Sequence, residues 1–174
     1  LNYCTPELLA HMKRAGCVFI NYGIEAMDDN VLKLMKKGLR TEQVVNGVEW
    51  TLEAGISPGL NMLFGNLGDT KETLQKAVDF LIEYDDQAQR RTIRPVTPYP
   101  GSPLYYMAIE RGLLEGPADF YEKKHLNSDL LCCNFTELSD EEVYAALEDA
   151  NKQLAVNFFD SNRDNALSQI EYLY

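Results

Sequence analysis

The stretch Cys17–Ile24, "CVFINYGI", decides the fold. Its apolar residues are nearly consecutive rather than alternate, the pattern of a strand buried on both faces within a parallel sheet, and the glycine at 23 marks its end. Immediately upstream, Thr5-Pro6 supplies a helix cap followed by proline at the first helical position. Leu8, Leu9, Met12 and Ala15 fall on one helical face, and Gly16 stops the helix. The unit is therefore helix, glycine, strand. It recurs with Thr41 as cap, Val44, Val45, Val48 and Leu52 as the apolar face, Gly55 as stop and "PGLNMLFG" (58–65) as strand. A third copy opens at Asp69-Thr70 and carries Leu74, Ala77, Val78, Leu81 and Ile82. It runs through the polar "DDQAQRR" to the strand "TIRPV" (92–96). A short extra helix, Asn30 to Lys37, fits between the first two units. Helices alternating with buried strands at this spacing predict an α/β fold with a parallel sheet.

Composition narrows the function classes. The chain has 174 residues, 45% hydrophobic and 25% charged, with a formal net charge of -11, so it can build a sizeable core. The acidic balance argues against nucleic acid or an anionic membrane surface as partner, since neutralising phosphate needs an excess of Lys and Arg, and the only basic cluster read here is Arg90-Arg91. No apolar run approaches the roughly 20 residues of a membrane span, and the first residues lack a signal-peptide pattern; we expect a cytoplasmic protein. Cys4, Cys17, Cys132 and Cys133 show no metal-ligand spacing and read as packed, reduced thiols.

After Gly112 the pattern becomes helical throughout. There Ser139 and Glu142 form a capping box ahead of a helix bearing Val143, Ala146, Leu147 and Leu154. This tail is expected either to cover the sheet or to stand as a small module. Ligands in such folds sit where strand carboxyl ends meet the following loops. The chemistry is therefore expected in "YGIEAMD" (22–28), "FGNLGDT" (64–70) and "TPYPGSPLY" (97–105).

Taken in order, G-I-E after one strand, G-x-x-G-D-T after the next and P-Y-P-G-S-P-L-Y after the third resemble the carboxyl-terminal half of a radical S-adenosylmethionine (SAM) core. The proline turn is most similar to the cobalamin-binding branch, which includes proteins like the anaerobic magnesium-protoporphyrin IX monomethyl ester cyclase. The resemblance covers about Leu1 to Leu114. It implies the second half of a partial (β/α)6 TIM-like barrel over residues 1–114, with a helical extension over 115–174.

What the family does with these segments is carried over residue by residue. Gly23-Ile24-Glu25 matches the segment whose carboxylate accepts hydrogen bonds from the ribose hydroxyls of SAM. Ala26 stands where the family commonly has Ser. Leu63 and Gly65 match the positions where an apolar side chain packs on adenine and a glycine admits close backbone approach, although "GNLGDT" departs from the usual G-F-P-G-E-T, and Asp69 is not expected to be catalytic. Val96 and Thr97 match the backbone partners of adenine, held by a turn in which Pro98, Pro100 and Pro103 fix φ. Tyr99 is a candidate wall of the substrate cavity. Arg94 either points into the barrel to meet a substrate carboxylate or pairs with an acidic neighbour.

The resemblance also implies a 4Fe-4S cluster held by C-x-x-x-C-x-x-C, and that triplet does not occur in this sequence. Cluster ligands and any cobalamin domain are therefore expected outside the chain. On this reading the chain is a fragment of a radical SAM enzyme that acts on a small organic substrate by cyclisation, methylation or rearrangement. The fragment lends contacts to SAM and is inactive alone. The alternative is a stand-alone, cluster-less α/β module with a binding or assembly role. In either case an uncovered strand Val18 to Gly23 is an edge open to self-association, unless the tail folds over it.

Overall fold

The structure, a computed structural model, describes residues 1–173. Helix α1 (Pro6–Arg14) leads to strand β1 (Phe19–Glu25), the short helix α2 (Asp29–Leu34), helix α3 (Thr41–Glu53), strand β2 (Ser57–Phe64), helix α4 (Lys71–Tyr84) and strand β3 (Ile93–Pro95). Helix α5 (Pro103–Glu110), the single turn α6 (Pro117–Asp119), a π-helical turn Phe120–Lys124 and the long helix α7 (Asp140–Leu173) complete the described chain. The three strands are parallel in the order β1-β2-β3. The repeated helix-strand unit and the α/β class follow the sequence pattern.

The helix starts have local causes. Thr5 Oγ1 accepts from Leu8 N–H at 3.2 Å, Ser102 Oγ from Tyr105 N–H at 3.2 Å, and Ser139 and Glu142 close a reciprocal box at 3.1 and 3.2 Å. Thr41 is the first residue of α3 rather than its cap. Arg40 takes that place, its N–H donating to Gln43 Oε1 at 2.9 Å, while Thr41 N–H donates to Asp29 Oδ1 at 2.8 Å. A carboxylate from the preceding helix has taken over the task expected of the threonine hydroxyl.

The sheet's two faces differ. Tyr22, Ile24, Leu60, Met62, Phe64 and Ile93 enter one apolar cluster with Val44 and Val48 of α3 and Leu74, Val78 and Leu81 of α4. The other face carries Phe19, Asn21, Gly23, Asn61, Leu63 and Arg94 and is largely open. The expectation that "CVFINYGI" is buried on both faces fails. Val18 is 71% exposed and Phe19 39%, and the strand starts only at Phe19. Consecutive apolar residues report the absence of polar ones, not the presence of a covering layer.

The tail departs from expectation in two ways. Residues 125–139 are not helical; they form turns tied by Asn134 to Leu138 O and Asp140 Oδ1 and by the Tyr144 hydroxyl to Leu131 N–H. Helix α7 then packs on α4 and β3, contributing Val143, Leu147, Ala150 and Leu154 to the main core, and leaves β1 uncovered. Asn151 of α7 fixes that placement. Its Oδ1 accepts from Ile93 N–H at 2.9 Å and its Nδ2 donates to Ile93 O at 2.9 Å, so one side chain acts as the missing neighbour of β3. A second cluster joins Val96, Tyr105 and Ala108 to Phe120, Cys132, Cys133 and Phe135 across residue 114.

Candidate functional site

All three segments picked out by sequence lie at the carboxyl ends of β1, β2 and β3. The register sets Gly23 beside Asn61, Glu25 beside Met62, Leu63 beside Arg94 and Phe64 beside Pro95. The pairing slips between Gly23 and Glu25, and Glu25 takes φ 76°, a left-handed conformation unusual for a side-chain-bearing residue. The bulge folds the carboxylate back over the strand. A Cβ added at Gly23 would stand 2.7 Å from Glu25 Oε1, so glycine there leaves the space the carboxylate occupies. Glu25 Oε1 accepts from Lys37 Nζ at 3.0 Å, and its side chain is only 18% exposed.

Beside it, Leu63 lies half-buried on the open face, and Gly65 turns the chain out of β2 at φ 98°. The loop that follows is built on Asp69. One carboxylate oxygen accepts from Gly65 N–H at 3.0 Å and Asn66 N–H at 2.9 Å, and the other accepts from the Thr73 hydroxyl at 3.0 Å. Burial pushes the Asp69 carboxyl up to about 6, with those hydrogen bonds opposing. Asp69 is thus the post that holds this loop, and Thr70 is the cap of α4. Asn66 is buried, and its Nδ2 has no hydrogen-bond partner among the described residues.

The titration of Asp69 has a measurable consequence. Its folded pKa lies above the ordinary 3.8, so the folded chain binds the proton more tightly than the unfolded one. The associated stability is present in full below pH 4 and is lost as pH rises through 6, on the order of 3 kcal/mol in all. Asp69→Asn keeps the shape and removes the titration. Subtracting its urea-unfolding stability from that of the parent chain should give a difference that falls between pH 4 and 6; a flat difference would refute this account.

Val96 is buried and continues the β3 ladder, its N–H donating to Phe64 O at 2.8 Å, while Thr97 O accepts from Tyr99 N–H at 3.0 Å. The Val96 carbonyl and the Thr97 N–H then have no hydrogen-bond partner among the described residues, an acceptor and a donor side by side. Arg94 and Tyr99 are both engaged by the tail. Arg94 Nε meets Asp129 Oδ1 at 3.0 Å with both side chains more than half exposed. The Tyr99 hydroxyl lies 3.1 Å from Ser128 Oγ, and its ring packs at 5.8 Å from that of Phe120 and 5.3 Å from that of His125. Arg94, beside Leu63 in the sheet, and Tyr99 thus both reach the tail, through Asp129 and Ser128.

Three participants escaped sequence reading. Asn21 and Asn61 are polar residues at single positions inside apolar strands, and period-two counting from Gly23 and Leu63 would have put both on the open face. Lys37 gave no signal, because its meeting with Glu25 depends on how the turn after α2 bends. The same turn gathers Lys33, Lys36 and Arg40 around an open cleft of about 770 Å³, a basic grouping that Arg90-Arg91 had overshadowed in the sequence.

The arrangement fits an adenosyl group: a carboxylate over a bare glycine, an apolar side chain, a left-handed glycine and a backbone donor and acceptor unpaired among the described residues share one end of the sheet. It does not fit an iron–sulfur cluster. Among the described residues no three His, Cys, Asp or Glu side chains converge as metal ligands, and burial pushes Cys133 up to about 12 and Cys132 above its usual range, against thiolate formation. Among the described residues no helix is long and apolar enough to cross a membrane.

The pattern of the radical SAM superfamily matches residues 2–81. An uncharacterized methyltransferase of Pyrococcus horikoshii is 29% identical over 114 residues, which cover 66% of this chain and 24% of that protein. The bacteriochlorophyllide d C-12(1)-methyltransferase of Chlorobaculum tepidum is 27% identical over 147 residues, covering 80% of this chain and 31% of that enzyme. The chain thus spans about a quarter to a third of the length of these relatives. Among solved structures, the radical SAM methyltransferase TsrM of Kitasatospora setae, with cobalamin and a [4Fe-4S] cluster bound, superimposes with a TM-score of 0.64 at 21% identity over 87% of this chain and 34% of that one. Elp3 of Methanocaldococcus infernus gives 0.52 at 20% identity over 63% and 26%. These structural likenesses show a shared α/β fold, and the radical SAM pattern covers a little under half of the chain.

Proposed function

We propose that the chain is the second half of the SAM-binding barrel of a cobalamin-dependent radical SAM enzyme that methylates an organic substrate. The observation that carries this is the Glu25 carboxylate folded over Gly23 at the same sheet end as Leu63, Gly65, Val96 and Thr97. Glu25 accepts from the ribose hydroxyls, Leu63 covers one face of adenine, and the Val96 carbonyl and Thr97 N–H meet the amino group and a ring nitrogen of adenine. Arg94 and Tyr99 face the substrate, with Asp129 and Ser128 standing in for its polar groups. SAM and a 4Fe-4S cluster, whose ligands lie outside this chain, supply the reductive chemistry. Methylation is preferred to cyclisation because curated relatives along the chain are methyltransferases, two of them acting on bacteriochlorophyllides.

The coding sequence upstream tests this directly. A C-x-x-x-C-x-x-C triplet within roughly 100 residues before Leu1, the length of a few helix-strand units, is expected. Its absence from the gene would leave the cluster-less binding or assembly module in its place. Produced by itself, the chain should be catalytically inactive and should associate through the uncovered β1 edge, Val18 to Gly23. Sedimentation is expected to show dimers or larger species, and Asn21→Pro, which removes an N–H on the side of β1 that faces away from β2, should shift them toward monomer while circular dichroism retains the helix content. A wild-type monomer at all accessible concentrations would overturn the edge assignment.

A further inference from the structure

Lys37 is delivered to Glu25 by a turn that the sequence builds with care. Lys36 and Gly38 on either side of it both adopt positive φ, 55° and 66°. Lys37 N–H returns to Leu32 O at 3.0 Å, and Asn2 Nδ2 donates to Gly38 O at 2.7 Å from the other end of the sequence. A lysine so placed does not reach its partner by chance of a long side chain on an open surface; its side chain is 31% exposed and that of Glu25 18%. Both charged groups lie over Gly23, where an added Cβ would stand 2.7 Å from Glu25 Oε1 and 3.4 Å from Lys37 Nζ. An open cleft of about 290 Å³, lined by Asn2, Asn21, Gly23 and Lys37, runs alongside.

The consequence lies in the free oxygen. An ionised carboxylate offers about four lone-pair sites, and the last torsion of a glutamate is broad and twofold, so an untethered Glu25 would spread its acceptors over many directions. Lys37 engages Oε1, and Oε2 has no hydrogen-bond partner among the described residues. With one oxygen tethered, Oε2 and the remaining lone pair of Oε1 are left to accept from a ligand. A vicinal diol needs two such acceptor sites close together.

Resting on the SAM-site reading above, we propose that Lys37 is the positioning residue of that site: its ion pair orients the Glu25 carboxylate to accept both ribose hydroxyls. The role adds no contact to the ligand. It determines how sharply the site reads the diol.

The test is equilibrium binding to the full-length protein of SAM, of S-adenosylhomocysteine and of the 2′-deoxy analogue of S-adenosylhomocysteine, in wild type, Lys37→Met, Lys37→Arg and Glu25→Gln. Lys37→Met should weaken SAM binding roughly three- to tenfold, as expected for losing a partly buried tether to a charge-assisted bond. It should also bring the affinity ratio between S-adenosylhomocysteine and its 2′-deoxy analogue toward one, and Lys37→Arg should restore both. If Lys37→Met leaves affinity and ratio unchanged while Glu25→Gln lowers affinity, the positioning role is wrong and the site reading stands. Loss of affinity in Lys37→Met at an unchanged ratio also overturns it, since local damage would weaken both ligands alike. If Glu25→Gln changes nothing, or the wild-type protein binds no SAM, the site reading fails and the role of Lys37 fails with it.

Discussion

Glu25→Gln in the full-length protein is expected to weaken SAM binding by about 1.5–3 kcal/mol, roughly ten- to a hundred-and-fifty-fold, the range for losing hydrogen bonds to a charged acceptor. The amide keeps the size of the side chain, and its oxygen still accepts from Lys37, so the bulge at Gly23 and the strand register should survive. What changes is the second oxygen: it becomes an NH2 that cannot accept from a hydroxyl. Hydroxyls that can rotate to accept from that NH2 would recover part of the loss, which sets the lower end of the range. Isothermal titration with SAM and with S-adenosylhomocysteine measures the effect, and the cluster absorption of the full-length protein should be unaltered. Unchanged affinity for both ligands would make the Glu25–Lys37 pair a structural tie and remove the main support for the proposed site.

Glu25 was picked out through the resemblance that Gly23-Ile24-Glu25 carries, and the left-handed φ of Glu25 that folds its carboxylate over Gly23 was not legible. Lys37 was not visible, because the pair spans two changes of direction and depends on left-handed residues that local propensity does not foretell. Arg94 had two readings in the sequence, and the structure supplies an acidic neighbour in Asp129, 35 positions away in an irregular segment with no periodicity to read. At Val96 and Thr97 the resemblance implied backbone partners of adenine without saying which atoms. The ladder bond from Val96 N–H to Phe64 O leaves a carbonyl and an N–H there without a partner among the described residues.

The fold divides the same way. Caps at Thr5 and Ser139 and the three helix-strand units were legible, since each rests on contacts within a few residues. Tertiary competition moved the cap of α3 from Thr41 to Arg40. Where the tail goes is a matter of contacts such as Asn151 with Ile93, 58 positions apart, and Gln75 with Gln153, 78 apart. Nothing in the amphipathic pattern of α7 names β3 rather than β1 as its seat, because either edge of the sheet would accept an apolar helix face.

That choice of edge can be measured through Asn151. Asn151→Leu should destabilise the chain by about 2–4 kcal/mol, since the Ile93 N–H and C=O would both lose their partner in a part-buried place and each unsatisfied group costs roughly 1–3 kcal/mol less whatever water recovers. For a chain of this length that corresponds to a fall in thermal midpoint of roughly 5–15 °C. Leucine adds apolar area against Leu147 and Leu154, so a purely packing role for position 151 predicts no loss or a small gain. The two accounts therefore differ in sign. Asn151→Asp separates donor from acceptor. Its carboxylate still accepts from Ile93 N–H but faces the Ile93 carbonyl with negative charge. Protonation below about pH 4 gives it an O–H to donate to that carbonyl, so its deficit relative to wild type should shrink as pH falls. The destabilised variants should also expose β3 as a second open edge and associate more strongly than the wild type at equal concentration. An Asn151→Leu chain as stable as the wild type would show that α7 is held on β3 by apolar contact alone, and the side-chain bonds to Ile93 would then be a result of docking and not its cause.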